Sequence, residues 1–520
     1  MTVLQRLLPR GSAWLLAALA WLAALAWLRP LSIPDEGRYV GVAWEMLRSG
    51  DWLTPTLDGL PYFHKPPLFY WITGASLRVF GLGEFAARLA PLLGALAAAA
   101  ALLIFVRRWI GEATARRALL ALVTQPLFYM GAQFANLDML VAGCIAATIA
   151  ALASSALAES PNQRRANLAV GYLFAALGVL AKGLIGVVLP AMVIGAWLVL
   201  QRRTRTLLAL LWLPGIILFL CVASPWFIAM QLRFPDFAHY FFVVQHFQRY
   251  AEGGFNNVQP FWFFFAVLAL LALPWTVWLL GAARGAYWSD PARGPIRTLM
   301  WIWLAVITIF FSVPQSKLVG YIFPALPPLA FLAADSADLL IARSRFYRSL
   351  WRFSGGLAMA TCVAVAASAA LLIAYPQRDL GRVLRARMAA DDQVIYLGDY
   401  YFALDFYAQL RAPVTVVAQW DTAEAGRDNW RKELLDARRF ASGSAPLIAP
   451  QELSAKLCAP VASWVVGGRS SPRDYPVLAR AEQVAASRDT VLWRVPARAA
   501  ATVNAQGCPG MPNANSTDKS

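Results

Sequence analysis

Eleven apolar stretches dominate this sequence, near residues 13–31, 86–106, 118–132, 136–157, 168–181, 184–200, 207–229, 259–281, 298–311, 319–341 and 353–375. A bilayer span needs roughly 20 apolar residues, because lipid cannot hydrogen-bond a bare peptide group whereas a helix satisfies its own. So many runs imply a polytopic α-helical membrane protein. Some are short or abut, as at Lys182-Gly183, so eleven to thirteen spans are expected. The chain is 59% hydrophobic and 14% charged, a balance unsuited to a soluble protein of this length.

The charges between the runs orient them. With the N-terminus in the cytoplasm, segments 1–12, 107–117, 158–167, 201–206, 282–297 and 342–352 lie inside, holding eighteen Lys and Arg against Glu112, Glu159 and Asp290. Basic residues at every inner loop are the positive-inside pattern. The net charge of +17 is therefore topology, and no nucleic-acid partner is expected. An odd span count puts 32–85, 230–258 and everything after 375 outside. Residues 1–28 also have the outline of a secretory signal, with Arg6 and Arg10 before an apolar run ending Ala24-Leu-Ala26; cleavage is the alternative to a retained first span.

The most polar stretch of the first two thirds is 33–71. Residues 35–48 are predicted to be an amphipathic helix stopped by Gly50, with Asp35, Arg38 and Tyr39 on one face. Asp58-Gly59 is a turn signal, returning the chain to Tyr62-Phe-His64-Lys65. Lys65 precedes Pro66-Pro67, and a helix is predicted from Pro67 towards Val79. A lysine beside free helix N–H groups is a candidate phosphate cradle; the alternative is an anchor to lipid headgroups. Asp35 and Glu36 equally suit a helix N-terminus.

Asp138, near an outer boundary, and Lys182, between two runs, are site candidates because a charge in the membrane is costly unless it is paired or snorkels. All three histidines, His64, His239 and His246, fall outside and lack the tight spacing of a zinc motif. Lys317 and Tyr321 stand four apart at the outer start of a span that its prolines should break, and broken membrane helices border cavities. From 376 to 502 the pattern becomes a small soluble α/β domain. Strands are expected at Gln393, Pro413, Ser463 and Thr490, with helices at 400–410 and 429–439. Residues 503–520 read as a disordered tail. Cys458 and Cys508 could pair in an oxidising compartment.

Several motifs resemble the ArnT-like glycosyltransferases, relatives of the protein O-mannosyltransferases. They are Pro34-Asp-Glu-Gly-Arg-Tyr, Glu45-Met-Leu-Arg-Ser-Gly-Asp-Trp, Tyr62-Phe-His-Lys-Pro-Pro and Ser316-Lys-Leu-Val-Gly-Tyr-Ile-Phe-Pro. Ala181-Lys-Gly, Ser224-Pro-Trp and Gln245-His-Phe-Gln-Arg-Tyr extend the match across the membrane part, 1–375. The resemblance implies a GT-C fold with an outer cavity under a periplasmic domain, in the bacterial inner membrane. It implies an undecaprenyl-phosphate-linked sugar donor and transfer of 4-amino-4-deoxy-L-arabinose to lipid A phosphates. It makes Asp35 the catalytic carboxylate, places Lys65, Arg249 and Tyr321 at the donor phosphate, and lines the cavity with Arg38, Tyr39, Tyr62, Asp138, Lys182, His246 and Lys317. One departure stands out: arabinosyl enzymes of this kind carry Tyr-Phe-Glu-Lys where this chain has His64. A divalent metal, zinc or magnesium, is therefore a candidate cofactor at His64 with a weaker basis than a glutamate would give.

The chemistry so implied is displacement at the anomeric carbon with the polyprenyl phosphate leaving, stabilised by cations that act more strongly as the bond breaks. Two alternatives stand beside it: a transferase acting on another glycan or a protein hydroxyl, and a lipid flippase or transporter. The second predicts internal repeats and midplane charges, and neither is present in the sequence.

Overall fold

The computed structural model describes residues 10–248, 257–427, 429–441, 443 and 446–497. The chain forms two compact units, one of Met1–Arg29 and Phe63–Leu372, the other of Pro30–Tyr62 and Ile373–Ser520. The second boundary falls close to the change of composition at 375. The first corrects the expectation that the whole outer segment 32–85 belongs to the membrane domain.

In the first unit the apolar stretches become helices. Among the described residues six are long and apolar enough to cross a membrane singly: Leu89–Trp109, Leu137–Leu157, Leu213–Arg233, Gly294–Ser312, Val319–Arg343 and Arg345–Leu371. A seventh results if Phe263–Leu271 and Trp275–Ala283, bent by 107° at their break, count as one. The other predicted runs are shorter or divided. Ser12–Ala23 and Ile185–Leu200 are apolar but short; the run at 118–132 is split between Glu112–Val123 and Pro126–Ala132, where Pro126 starts a new helix instead of continuing the old one. The chain is thus a multi-pass membrane protein. Leu137–Leu157 is its central helix, buried along nearly its whole length. It meets Leu89–Trp109 through Gly94 and Gly143, where a methyl group on either would strike the other helix's backbone. Small residues allow this approach, and close packing is what holds helices together where lipid is as apolar as leucine.

Residues assigned to inner loops are partly built into this unit. Arg297 is 1% exposed; its Nε donates to Asp335 Oδ2 at 2.6 Å, and Arg293 Nη1 donates to Asp335 Oδ1 at 2.6 Å and to Asp338 Oδ2 at 3.2 Å. Arg117 and Thr114 also bind Asp338. Buried ions persist only when so paired. These arginines therefore cross-link three helices.

The second unit is built on a six-stranded mixed sheet. The first outer segment supplies a hairpin, β1 (Thr56–Leu57) and β2 (Leu60–Pro61). Its turn residues Asp58 and Gly59 both have positive φ, 54° and 73°, the backbone a two-residue hairpin turn needs. The sheet is formed by β3 (Gln393–Leu397), β4 (Thr415–Val417), β5 (Leu447–Ile448), β6 (Ser463–Gly468), β7 (Glu482–Ser487) and β8 (Thr490–Val495), in the order β5-β4-β3-β6-β8-β7. β3 pairs parallel with β4 and β6, and β8 pairs antiparallel with β6 and β7. Ile395, Val417, Val465 and Trp493 fill its core. All four predicted strands are present, with helices at Leu404–Ala408 and Trp430–Arg438. Three of the five cysteines are free and Cys458 is disulfide-bonded; Cys508 and the tail 503–520 lie outside the described residues.

Polar bonds tie segment 30–62 to this domain. Glu45 accepts from Asp58 N (2.6 Å), Gly59 N (2.9 Å) and Thr56 Oγ1 (2.7 Å), which braces the hairpin against its own helix. Asp58 Oδ1 accepts from Val414 N (2.8 Å), Tyr407 Oη from Leu31 N (2.8 Å), and Leu410 O from Arg48 (2.8 Å). Gly37 lies so close to Ala403 that a Cβ there would collide.

Candidate active site

The sequence candidates fall into two groups, one on each unit.

On the first unit, Asn136 caps the Leu137–Leu157 helix, its side chain accepting from Asp138 N at 3.0 Å. Asp138 therefore sits in the first turn, where a carboxylate complements the helix dipole. Lys182 ends the Pro161–Lys182 helix, where a cation is complementary in the same way. Both side chains are buried, and they form an ion pair. The Lys182 ammonium also lies 4.2 Å from the centroid of the Tyr321 ring, within cation–π range. Gly320 makes the junction possible, since a Cβ there would run into the Asp138 carboxylate. Three candidates drawn from distant stretches thus form one charged, aromatic junction.

Tyr321 stands in a tight helical turn, Val319–Ala325, that runs on into the Leu326–Arg343 helix; together they form one apolar helix, Val319–Arg343, so the prolines tighten the start of this span instead of breaking it. Lys317 has a different setting. It is 3% exposed, and its ammonium donates to Gln259 O (2.8 Å) and Pro314 O. It holds the 257–259 strand of chain in place, so its nearest partners are carbonyls. Lys65 is half-buried and directly precedes the Leu68–Phe80 helix, as predicted. His64 is buried beside Tyr240, ring centroids 6.0 Å apart. Among the described residues no three His, Cys, Asp or Glu side chains converge as a metal site would require. Arg249 and the side chain of His246 lie outside the described residues.

On the second unit, the predicted 35–48 helix is Asp35–Ser49, closed by Gly50 at φ 74°. Its two leading carboxylates have separate settings. Glu36 is fully buried and accepts from Ser32 N at 2.7 Å, tying down the chain ahead of the helix, whereas Asp35 is 31% exposed and paired with Arg38 at 3.5 Å. Arg38 Nε also meets Glu433 Oε2 at 3.1 Å, and its guanidinium lies 4.9 Å from the Phe402 ring centroid and 5.9 Å from that of Tyr39. Tyr62 donates to the same Glu433 oxygen at 3.4 Å. Burial alone would lower the Arg38 pKa, but Glu433, then Tyr62, Tyr39 and Asp35, outweigh it and raise it above the usual arginine range. Asp35, Arg38, Tyr39 and Tyr62 are thus organised around Glu433, a residue the sequence reading missed.

A family model described as dolichyl-phosphate-mannose-protein mannosyltransferase matches residues 64–228. The undecaprenyl phosphate-alpha-4-amino-4-deoxy-L-arabinose arabinosyl transferase 1 of Sodalis glossinidius is 35% identical over 348 residues, 66% of this chain and 60% of its own length. The corresponding transferase of Aeromonas salmonicida is 37% identical over 353 residues, 66% and 63%. The chain thus spans somewhat over 60% of these relatives' lengths. Among solved structures, ArnT from Cupriavidus metallidurans bound to undecaprenyl phosphate superposes with a TM-score of 0.77 at 24% identity, covering 93% of this chain and 97% of that one. The apo oligosaccharyltransferase of Archaeoglobus fulgidus gives 0.53 at 14%, covering 89% and 70%. The fold is the GT-C fold that the motifs implied, and the ArnT-like resemblance holds beyond them.

Proposed function

From a multi-pass GT-C protein that resembles the ArnT-like glycosyltransferases, we propose a membrane transferase that moves a sugar from undecaprenyl phosphate to an acceptor on the periplasmic face. The sugar is 4-amino-4-deoxy-L-arabinose, for which the curated relatives' donor is named, and the acceptor is a lipid A phosphate. The enzyme lies in the bacterial inner membrane with its N-terminus in the cytoplasm, a topology supported by the basic inner loops. The observation that carries the reading is the Asp138–Lys182–Tyr321 junction: a largely buried cation held under an aromatic ring, in a fold shared with ArnT bound to undecaprenyl phosphate.

In the reaction an acceptor oxygen forms a bond to the anomeric carbon while the bond from that carbon to the donor phosphate breaks. Its electron pair leaves with the phosphate. Negative charge thus grows on the leaving oxygen. Lys65, ahead of a helix N-terminus, and Arg249 neutralise it, and Tyr321 contributes a hydroxyl; cations placed there stabilise the transition state more than the ground state. Lys182, locked by Asp138, orients the Tyr321 ring. Asp35 acts on the acceptor. A lipid A phosphate is already anionic, so for it Asp35 positions the acceptor; a hydroxyl acceptor would need Asp35 as general base.

The test is purified protein in detergent with labelled undecaprenyl-phosphate aminoarabinose and lipid A. Transfer is expected and should fall about 100-fold in Asp35→Asn, the cost of a misplaced acceptor. Full transfer by that variant would remove Asp35 from the mechanism, and no transfer by the wild type would return the flippase reading. The description of the family model and His64 in place of glutamate favour, as a second reading, a protein or glycan hydroxyl as acceptor. Mass spectrometry of lipid A from cells with and without the gene separates the two: the aminoarabinose increment is lost in one case and lipid A is unchanged in the other.

A further inference from the structure

A cavity lies in the membrane unit, lined by none of the site candidates above. It has a volume of about 690 Å³ between the first helix, the Glu112–Val123 helix and the Arg345–Leu371 helix. Known small-ligand pockets run from about 300 to 1,000 Å³. Trp14, Trp21 and Met359 form much of the apolar wall, and Arg116, Arg117 and Arg352 stand around it.

The polar groups of the wall are already satisfied. Trp21 donates to Val123 O at 2.9 Å, and Thr124 Oγ1 donates to Leu120 O at 2.6 Å while accepting from Trp275 at 3.1 Å. Arg117 is bound by Asp338. The other two arginines are different. Glu112, the acid nearest Arg116, is taken by Arg107 at 2.7 Å and reaches Arg116 only at 3.9 Å. Arg116 instead leans on the Trp14 ring, 5.8 Å from its centroid. Arg352 is exposed and has no carboxylate partner among the described residues. An apolar trough with unspent guanidinium groups at its rim is complementary to one kind of molecule, an amphiphile with acyl chains and an anionic head.

We propose that this cavity binds one anionic phospholipid of the inner leaflet, its phosphate between Arg116 and Arg352 and an acyl chain against Trp21 and Met359. The inference rests on the topology given under the proposed function, which puts these arginines at the cytoplasmic surface. A basic pocket between spans on that side is where a phosphate headgroup is both abundant and attracted. A zwitterionic lipid would bring the same chains but cancel the charge.

Native mass spectrometry of the full-length protein in detergent tests this, with phosphatidylglycerol and phosphatidylcholine titrated in parallel. One phosphatidylglycerol should be retained roughly 10-fold or more tightly than phosphatidylcholine, and Arg116→Gln/Arg352→Gln should abolish the difference. Equal retention of the two lipids by the wild type would overturn the proposal, as would undiminished selectivity in the double variant. Arg352→Gln alone, at an exposed position, gives an intermediate loss and covers the case of a double variant that fails to fold. Inorganic phosphate should not displace the lipid; full displacement would mean an anion site with no use for the trough. Sugar transfer, measured on the same samples, is a separate readout. Its absence with selective lipid retention defeats the proposed reaction and leaves this site standing, and the converse result defeats only this site.

Discussion

Replacing Lys182 with methionine tests the junction on which the functional reading depends. The Asp138 and Lys182 side chains are 5% and 12% exposed, and Gly320 backbone packs against the carboxylate so closely that not even a methyl group fits between. Water cannot readily replace the lost ammonium. Breaking a buried pair by removing one partner costs about 3–5 kcal/mol, because the remaining charge is left uncompensated. Methionine keeps most of the length and apolar volume, so lost packing adds little. The expected loss is therefore about 3 kcal/mol or more, read as a lower unfolding midpoint in detergent together with reduced sugar transfer. The double variant Asp138→Asn/Lys182→Met removes both charges and should recover at least half of the stability while transfer stays low. That split is the diagnostic. If Lys182→Met is as stable as wild type, or the double variant is no better than the single, the pair is not the buried interaction described.

Other outcomes follow from the same structure. Gly320→Ala forces a Cβ into the Asp138 carboxylate and should cost about 1–3 kcal/mol with loss of transfer, measured on the purified variant. Glu433→Gln removes the charge shared by Arg38 and Tyr62 and should destabilise the second unit by about 2 kcal/mol, seen as faster amide exchange in Asp35–Ser49. In the same unit burial, aided by Glu45 and opposed by bonds from Tyr396 and Tyr400, pushes Asp405 up to about 7, and burial with Asp405 and Glu45 raises Asp58 well above the usual range. The native state therefore holds protons that the unfolded chain has released. The Asp405 contribution is complete below about pH 4 and is lost as pH rises to about 7, by about 4 kcal/mol at most. Amide protection in β3 and β4, corrected for the hydroxide-catalysed intrinsic exchange rate, should fall over that interval. A profile that instead becomes more protected with rising pH would refute the assignment.

Much of this was legible in the sequence because it depends on local rules. Gly50 and Asp58-Gly59 needed left-handed backbone and received it, and Lys65 fell just before its helix because Pro66 and Pro67 fix that boundary. The four strands announced themselves as β-branched runs. What was not legible depends on distant partners. Glu433 stands among Arg431, Lys432 and Asp436 on a short helix and reads as one more surface charge; only the return of segment 30–62 gives it Arg38 and Tyr62. Asp58 read as a turn residue, yet its carboxylate is buried and serves Val414. Lys317 shared a motif with Tyr321, but its side chain turns to carbonyls 58 and 3 residues away. Arg293 and Arg297 counted as orienting charges, whereas each also reaches an aspartate whose place in a later span carried no signal of its own.

The second unit is discontinuous in sequence, and this bears on how such enzymes can be recombined. A chimera joined at the evident composition change near 375 would exchange the C-terminal domain but keep the host's 30–62, separating Asp58 from Val414 and Arg38 from Glu433. A transplant that respects the unit needs three junctions, at 29/30, 62/63 and 372/373. Asp35 then travels with the donor protein's domain and Lys65 stays with the host. Exchange between relatives would thus make Asp35 and Lys65 separable by inheritance, so that the role proposed for each can be read from a different parent.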